Sequence, residues 1–120
     1  MIVLLSALLS VGLHLALGWQ WTMFAGVGAG VWRGGRSLPA SLVGAGGTAL
    51  GWAAVVIYTA AVAPSSLRIL SDAIGTLAGN IPGEALGGTT VLRGAGLGAL
   101  GGAIGALLRP LFSHLSPVAD

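Results

Sequence analysis

No aspartate, glutamate, lysine or arginine occurs before Arg33, so the first 32 residues form one uninterrupted apolar block. As a single helix, at about 1.5 Å per residue, that block would extend roughly 48 Å, well beyond the roughly 30 Å hydrocarbon thickness of a bilayer. Further blocks follow between Arg36 and Arg68 and between Arg93 and Arg109. A soluble domain keeps about a quarter of its residues charged because its surface must face water. Here charged residues make up 7% of the 120 positions, too few to cover a wetted surface. Residues 1–120 therefore read as one all-α integral membrane domain, with the lipid bilayer as the first partner.

The acids are Asp72, Glu84 and Asp120, set against five arginines and no lysine. The basic balance thus reflects scarce acids and not a basic patch, and nucleic acid is excluded as a partner. Cysteine is absent, which removes disulfides, thiolate metal sites and cysteine nucleophiles. The N-terminus lacks the positive segment of a secretory signal and a small-x-small cleavage site, so it is expected to be retained.

Three transmembrane helices are expected, over about residues 5–32, 40–63 and 88–109. The first is read as one long tilted or kinked helix. The alternative, giving four spans, is a hairpin that breaks near Gly18-Trp19-Gln20-Trp21, where the tryptophans suit an interface. For the second span, Ser37 can cap the helix, Pro39 suits its first turn, and Pro64 ends the apolar run. The third is complicated by Arg93. Either Arg93 and Arg109 mark the two interfaces of a short span, or the helix starts near Leu86 and Arg93 lies within the bundle; Arg109-Pro110 closes it in both cases.

Between the second and third spans, Leu67, Leu70, Ile74 and Leu77 recur at helical spacing, and Arg68 faces Asp72 at i,i+4. Residues 65–79 are thus a short amphipathic helix, either lying in the interface or folded against the bundle. Asn80-Ile81-Pro82-Gly83 is a turn. The positive-inside rule places residues 33–37 and the C-terminus in the cytoplasm of a multi-pass cell-membrane protein. The N-terminus is then outside with three spans and inside with four.

Several motifs invite a chemical reading. Gly96-Leu97-Gly98-Ala99-Leu100-Gly101 matches G-x-G-x-x-G, but it lacks the preceding strand and water-facing βαβ context of a dinucleotide site. The repeated glycines make this one helix resemble the c-subunit of rotary ATP synthases. No apolar block here carries that family's mid-membrane carboxylate. Gly101-GAIGALLR-Arg109 is also similar to a segment of the small fluoride channels, whose other polar pore residues have no counterpart in matching order. Neither resemblance assigns a family.

His14 and His114 fall on opposite membrane sides by the topology above, which removes a shared haem or metal site. His14 is then a helix-to-helix hydrogen-bonding residue and a candidate for ligand or ion-pair contacts. Arg93 is the other such candidate: it could attract an anion, pair with Glu84 or Asp72, or snorkel to the interface. No nucleophile, base and acid share one membrane depth, so no enzyme activity and no cofactor are expected.

The glycines carry the packing. Small-x-x-x-small pairs recur in every span: Gly26/Gly30, Gly47/Gly51, Gly94/Gly98/Gly102 and Gly101/Gly105. On the third helix Gly94, Gly98, Gly101 and Gly105 share one face, while Leu97, Leu100, Ile104, Leu107 and Leu111 share the opposite one. Lipid is as apolar as leucine, so helices associate in a membrane by close backbone approach, with glycines toward protein and leucines toward lipid. Three such faces exceed the needs of a small bundle. The expected role is an accessory or structural subunit packing into a larger or homo-oligomeric assembly. The alternative is a homo-oligomeric channel or transporter for an anion or small neutral solute, its path lined by Ser6, Ser10, Gln20, Thr48 and Arg93.

Overall fold

A computed structural model describes residues 1–113 of the chain, and the described residues are helical, without strands. The elements are α1 (Ile2–Leu17), a 3₁₀ turn (Trp19–Trp21), α2 (Thr22–Arg33), α3 (Ser37–Val62), α4 (Pro64–Leu77) and α5 (Gly83–Ser113). Two of them, α3 and α5, are long and apolar enough to cross a membrane.

The first apolar block is not one helix. Gly18 adopts φ 102°, ψ 169°, a conformation that only glycine enters readily, and the chain reverses there. The turn is held by the Thr22 hydroxyl, which donates to the Trp19 carbonyl at 2.6 Å, and by the Trp21 N–H, which donates to the Gly18 carbonyl at 3.2 Å. Across the resulting hairpin the Ser6 hydroxyl donates to the Ala25 carbonyl at 3.3 Å. Folding back lets the small-residue faces of both halves pack, whereas a single 32-residue helix would leave much of its length without a partner.

The contacts also give the helix directions. Gly26 meets Gly98 and Gly30 meets Gly102, so α2 and α5 run parallel. Ala40 lies at Gly102, Gly44 at Gly98 and Trp52 at Gly94, so α3 runs antiparallel to α5. Val3 and Ser6 lie at Gly47 and Ser10 at Gly51, so α1 runs parallel to α3. Helices α1, α2, α3 and α5 therefore alternate as an up-and-down bundle.

One end of this bundle carries the Arg33-Gly34-Gly35-Arg36 loop and the Arg109 side chain packed over Gly34; α1 begins partway along α3, with Val3 against Gly46 and Gly47. The other end of the α1–α2 hairpin carries Trp19, Trp21 and, alongside, Arg93. The last turns of α3, α4 and the first turns of α5 extend past the α2 end of the hairpin, and the molecule measures 60 × 26 × 21 Å.

Three boundaries differ from those expected. Ser37 is the first helical residue of α3 and not its cap; Arg36 precedes it in extended conformation without a side-chain cap. Helix α5 begins at Gly83, five residues before the expected start at 88, because Pro82 sits at its threshold and its first turn packs on Ser71 of α4. It also continues through Pro110 to Ser113. Proline's fixed φ is itself helical, and near a helix end the loss of a single N–H donor costs little. His114 and the remaining C-terminal positions lie outside the described residues, as does the expected cytoplasmic C-terminus.

Candidate functional site

The centre of the bundle is nearly free of large side chains. Gly26, Gly30, Gly44, Gly98 and Gly102 meet backbone to backbone where α2, α3 and α5 converge. A Cβ added at Gly98 would fall on the Thr48 hydroxyl and the Gly44 carbonyl, and one at Gly102 on the Ala40 carbonyl. Gly101 faces the backbone of Met23 and Val27, and Gly105 that of Val27 and Val31. Gly47 and Gly51 receive Ser6 and Ser10 of α1. Gly94 accepts the flat face of Trp52, whose ring carbons would lie 2.6–2.9 Å from an added Cβ.

Every glycine expected in a packing face is thus engaged inside one chain. Other helical glycines are open: an added Cβ at Gly12, Gly88 or Gly96 meets nothing within 4 Å. Local periodicity makes each face look free, because it does not reveal that α1 and α2 are two packing partners in place of one. Gly44 and Trp52 join the seam although the expected packing faces did not include them; Gly44 stands one turn before Thr48, at the spacing that marks the same helix face. Opposite the glycines, Leu100, Ile104, Leu107 and Leu111 of α5 are exposed, as are Leu4, Leu8, Leu42 and Leu50 on α1 and α3.

A short polar row runs through this apolar interior. Ser6, Ser10 and His14 follow one another at i,i+4 on α1. Ser6, Ser10, Thr22 and Thr48 are all buried, at 4%, 0%, 0% and 0% exposure. Thr48 has three carbonyls in reach: Gly44 at 2.9 Å and Ala45 at 3.2 Å on its own helix, and Gly94 at 2.8 Å across the α3–α5 seam. His14 sets its ring edge-on against Trp52, centroid to centroid 5.2 Å at 71°. It does not act as the helix-to-helix hydrogen-bonding residue expected: its Nδ1, like Ser10 Oγ and Trp52 Nε1, is buried without a hydrogen-bond partner among the described residues.

Arg93 is exposed, with its guanidinium 4.4 Å from the centroid of the Trp19 ring. Of the alternatives open to Arg93, pairing with Glu84 or Asp72 is not found among the described residues. Asp72 instead stands 3.9 Å from Arg68, both exposed, and Glu84 borders a cleft farther along α5. Of the residues expected to line a path, Ser6, Ser10 and Thr48 are inside the bundle, whereas Gln20 and Arg93 are on its surface.

That cleft, of about 1190 Å³, opens between the end of α3, α4 and the start of α5, with Val56, Ala60, Leu70, Ile74, Leu86 and Val91 in its walls and Arg68, Asp72 and Glu84 at its edge. On α4, Ile69, Leu70 and Leu77 are 71%, 58% and 88% exposed, so this helix covers little of its own apolar surface.

No protein-family model matches this chain, and no curated protein or solved structure is detectably similar to it.

Proposed function

We propose that the chain is a small polytopic membrane protein that serves as an accessory or structural subunit of a larger membrane assembly. The observation that carries this reading is a contrast between its two ends. The four-helix part closes its glycine faces internally and turns leucines outward, as suits lipid. The α3–α4–α5 end instead presents an open apolar cleft and an α4 whose stripe is largely uncovered. Exposed apolar patches of this kind mark interaction surfaces. The partner contact is therefore assigned to the cleft and not to the glycine seams.

In this reading the α1–α2 hairpin, the first part of α3 and the second part of α5 form the membrane-embedded bundle, a four-span arrangement. The arginine loop, Arg109 and the N-terminus share the cytoplasmic side. Trp19, Trp21 and Arg93 mark the opposite interface, and α4 lies at or beyond it.

The test is site-specific photo-cross-linking in native membranes with a probe at Leu70 or Ile74 in the cleft, and at Leu107 on the outer face of α5. Protein adducts from the cleft positions, with only lipid adducts from Leu107, are expected. A homo-oligomeric channel or transporter is the second reading, favoured by the buried polar row on α1. A lone oligomer giving solute flux in liposomes, abolished by Arg93→Leu, would overturn the accessory reading.

A further inference from the structure

Ser10 Oγ, His14 Nδ1 and Trp52 Nε1 are three buried polar atoms without a hydrogen-bond partner among the described residues, and the residues that carry them are neighbours. Ser10 and His14 are one turn apart on the same face of α1, roughly 5–6 Å between Cβ atoms. Gly51, the residue before Trp52, brings α3 so close that an added Cβ would lie 3.1 Å from Ser10 Cβ and Oγ. The His14 and Trp52 rings are in edge contact at 5.2 Å. Ser10 is fully buried and Trp52 is 7% exposed, so bulk solvent satisfies neither.

Buried polar groups are costly without hydrogen bonds, and native structures leave few of them unpaired. Here three stand on neighbouring residues, in a bundle whose other buried hydroxyls, on Ser6, Thr22 and Thr48, find carbonyls. Their chemistry is complementary. The indole N–H only donates, the serine hydroxyl donates or accepts, and an unprotonated imidazole Nδ1 accepts.

We propose that Ser10, His14 and Trp52 form an internal binding site, between α1 and α3, for one small molecule that both accepts and donates hydrogen bonds. Water fits this description, since a buried water typically makes about three hydrogen bonds; so does a neutral hydroxylic solute of similar size, such as methanol. The bound molecule accepts from Trp52 Nε1–H, donates to His14 Nδ1 and bonds the Ser10 hydroxyl. Holding Nδ1 as an acceptor places the imidazole proton on Nε2. The site thus fixes the tautomer of the one histidine among the described residues. This inference is independent of the cleft, and the failure of one leaves the other standing.

The experiment uses the full chain in phosphatidylcholine nanodiscs with ¹⁵N-labelled tryptophan and histidine. The four indole N–H signals are resolved, and that of Trp52 is identified by its loss in Trp52→Phe. The site predicts magnetisation transfer from water to the Trp52 indole proton and a His14 Nδ1 shift typical of a hydrogen-bonded acceptor. In Ser10→Ala, which adds no volume, the transfer falls at least two-fold while the other three indole signals keep their positions.

A methanol titration separates the two ligands. A saturable shift confined to the Trp52 signal identifies a solute site, and an unchanged signal with water transfer identifies a water site. A Trp52 indole without water transfer or a methanol response overturns the proposal, as does transfer unaffected by Ser10→Ala. A direct ¹⁵N–¹⁵N coupling between the Trp52 indole and His14 Nδ1 overturns it as well.

Discussion

Thr48 reaches across the bundle to Gly94: its Oγ1 lies 2.8 Å from the Gly94 carbonyl, joining α3 to α5 one turn below the place where Trp52 lies flat on the same glycine. Thr48 also lies in reach of the Gly44 and Ala45 carbonyls, so a single proton is shared among three acceptors. Thr48→Val keeps the shape and removes the donor. An isosteric loss of one interhelical hydrogen bond within a membrane bundle costs about 0.6 kcal/mol, up to about 1.7 kcal/mol. A lowered unfolding midpoint of that size, measured in one detergent, is the expected outcome; no change would show that the cross-seam bond contributes nothing.

Gly96 and Gly98 stand two residues apart on α5 and face different surroundings. A Cβ at Gly98 would collide with Thr48 and Gly44, whereas one at Gly96 meets nothing within 4 Å. Gly98→Ala is therefore expected to destabilise by about 1–3 kcal/mol through overpacking. Gly96→Ala should stabilise the helix by roughly 0.5–1 kcal/mol. Opposite signs in thermal unfolding of the two variants check the seam, and equal effects would refute it.

The break at Gly18 sets the side on which the N-terminus lies. Because α1 runs parallel to α3, with Val3 against Gly46 and Gly47, the start of the chain points toward the Arg36 end of α3 and away from the end that leads into α4. The chain has no native cysteine, so single cysteines report cleanly. In sealed vesicles, a cysteine added ahead of Ile2 and Arg36→Cys are expected to react with an impermeant maleimide from one side, and Leu77→Cys from the other. An N-terminus labelled together with Leu77→Cys would restore the single-helix reading of the first block.

Arg93 over Trp19 is a cation–π contact at 4.4 Å between α5 and the α1–α2 turn. Contacts of this kind at exposed positions contribute about 0.5–1 kcal/mol. A double-mutant cycle with Arg93→Met and Trp19→Leu is expected to return a coupling energy in that range. A value near zero would mean that the arginine merely passes near the ring.

The two-faced character of α5 is legible in the amino-acid sequence, because a 3.6-residue period places Gly94, Gly98, Gly101 and Gly105 along one stripe and the leucines along another. The α3 span and the Arg68–Asp72 pair on α4 are legible for the same reason: each depends on spacing within one helix. The partner of each glycine face is not. Gly26 meeting Gly98 and Gly44 meeting the same residue are contacts between segments far apart in the chain, invisible to local periodicity.

Composition and helical period already set the all-helical class, the scarcity of groups able to face water, and the faces along which helices can approach. Tertiary structure alone decided that the first block folds back at Gly18, that the glycine faces close on one another within one chain, and that Arg93 rests on Trp19 instead of an acid. It also decided that Ser10, His14 and Trp52 come together. The physical reason is that close packing is a property of pairs of surfaces: a smooth helix face specifies that something must approach, and only the assembled bundle shows what does.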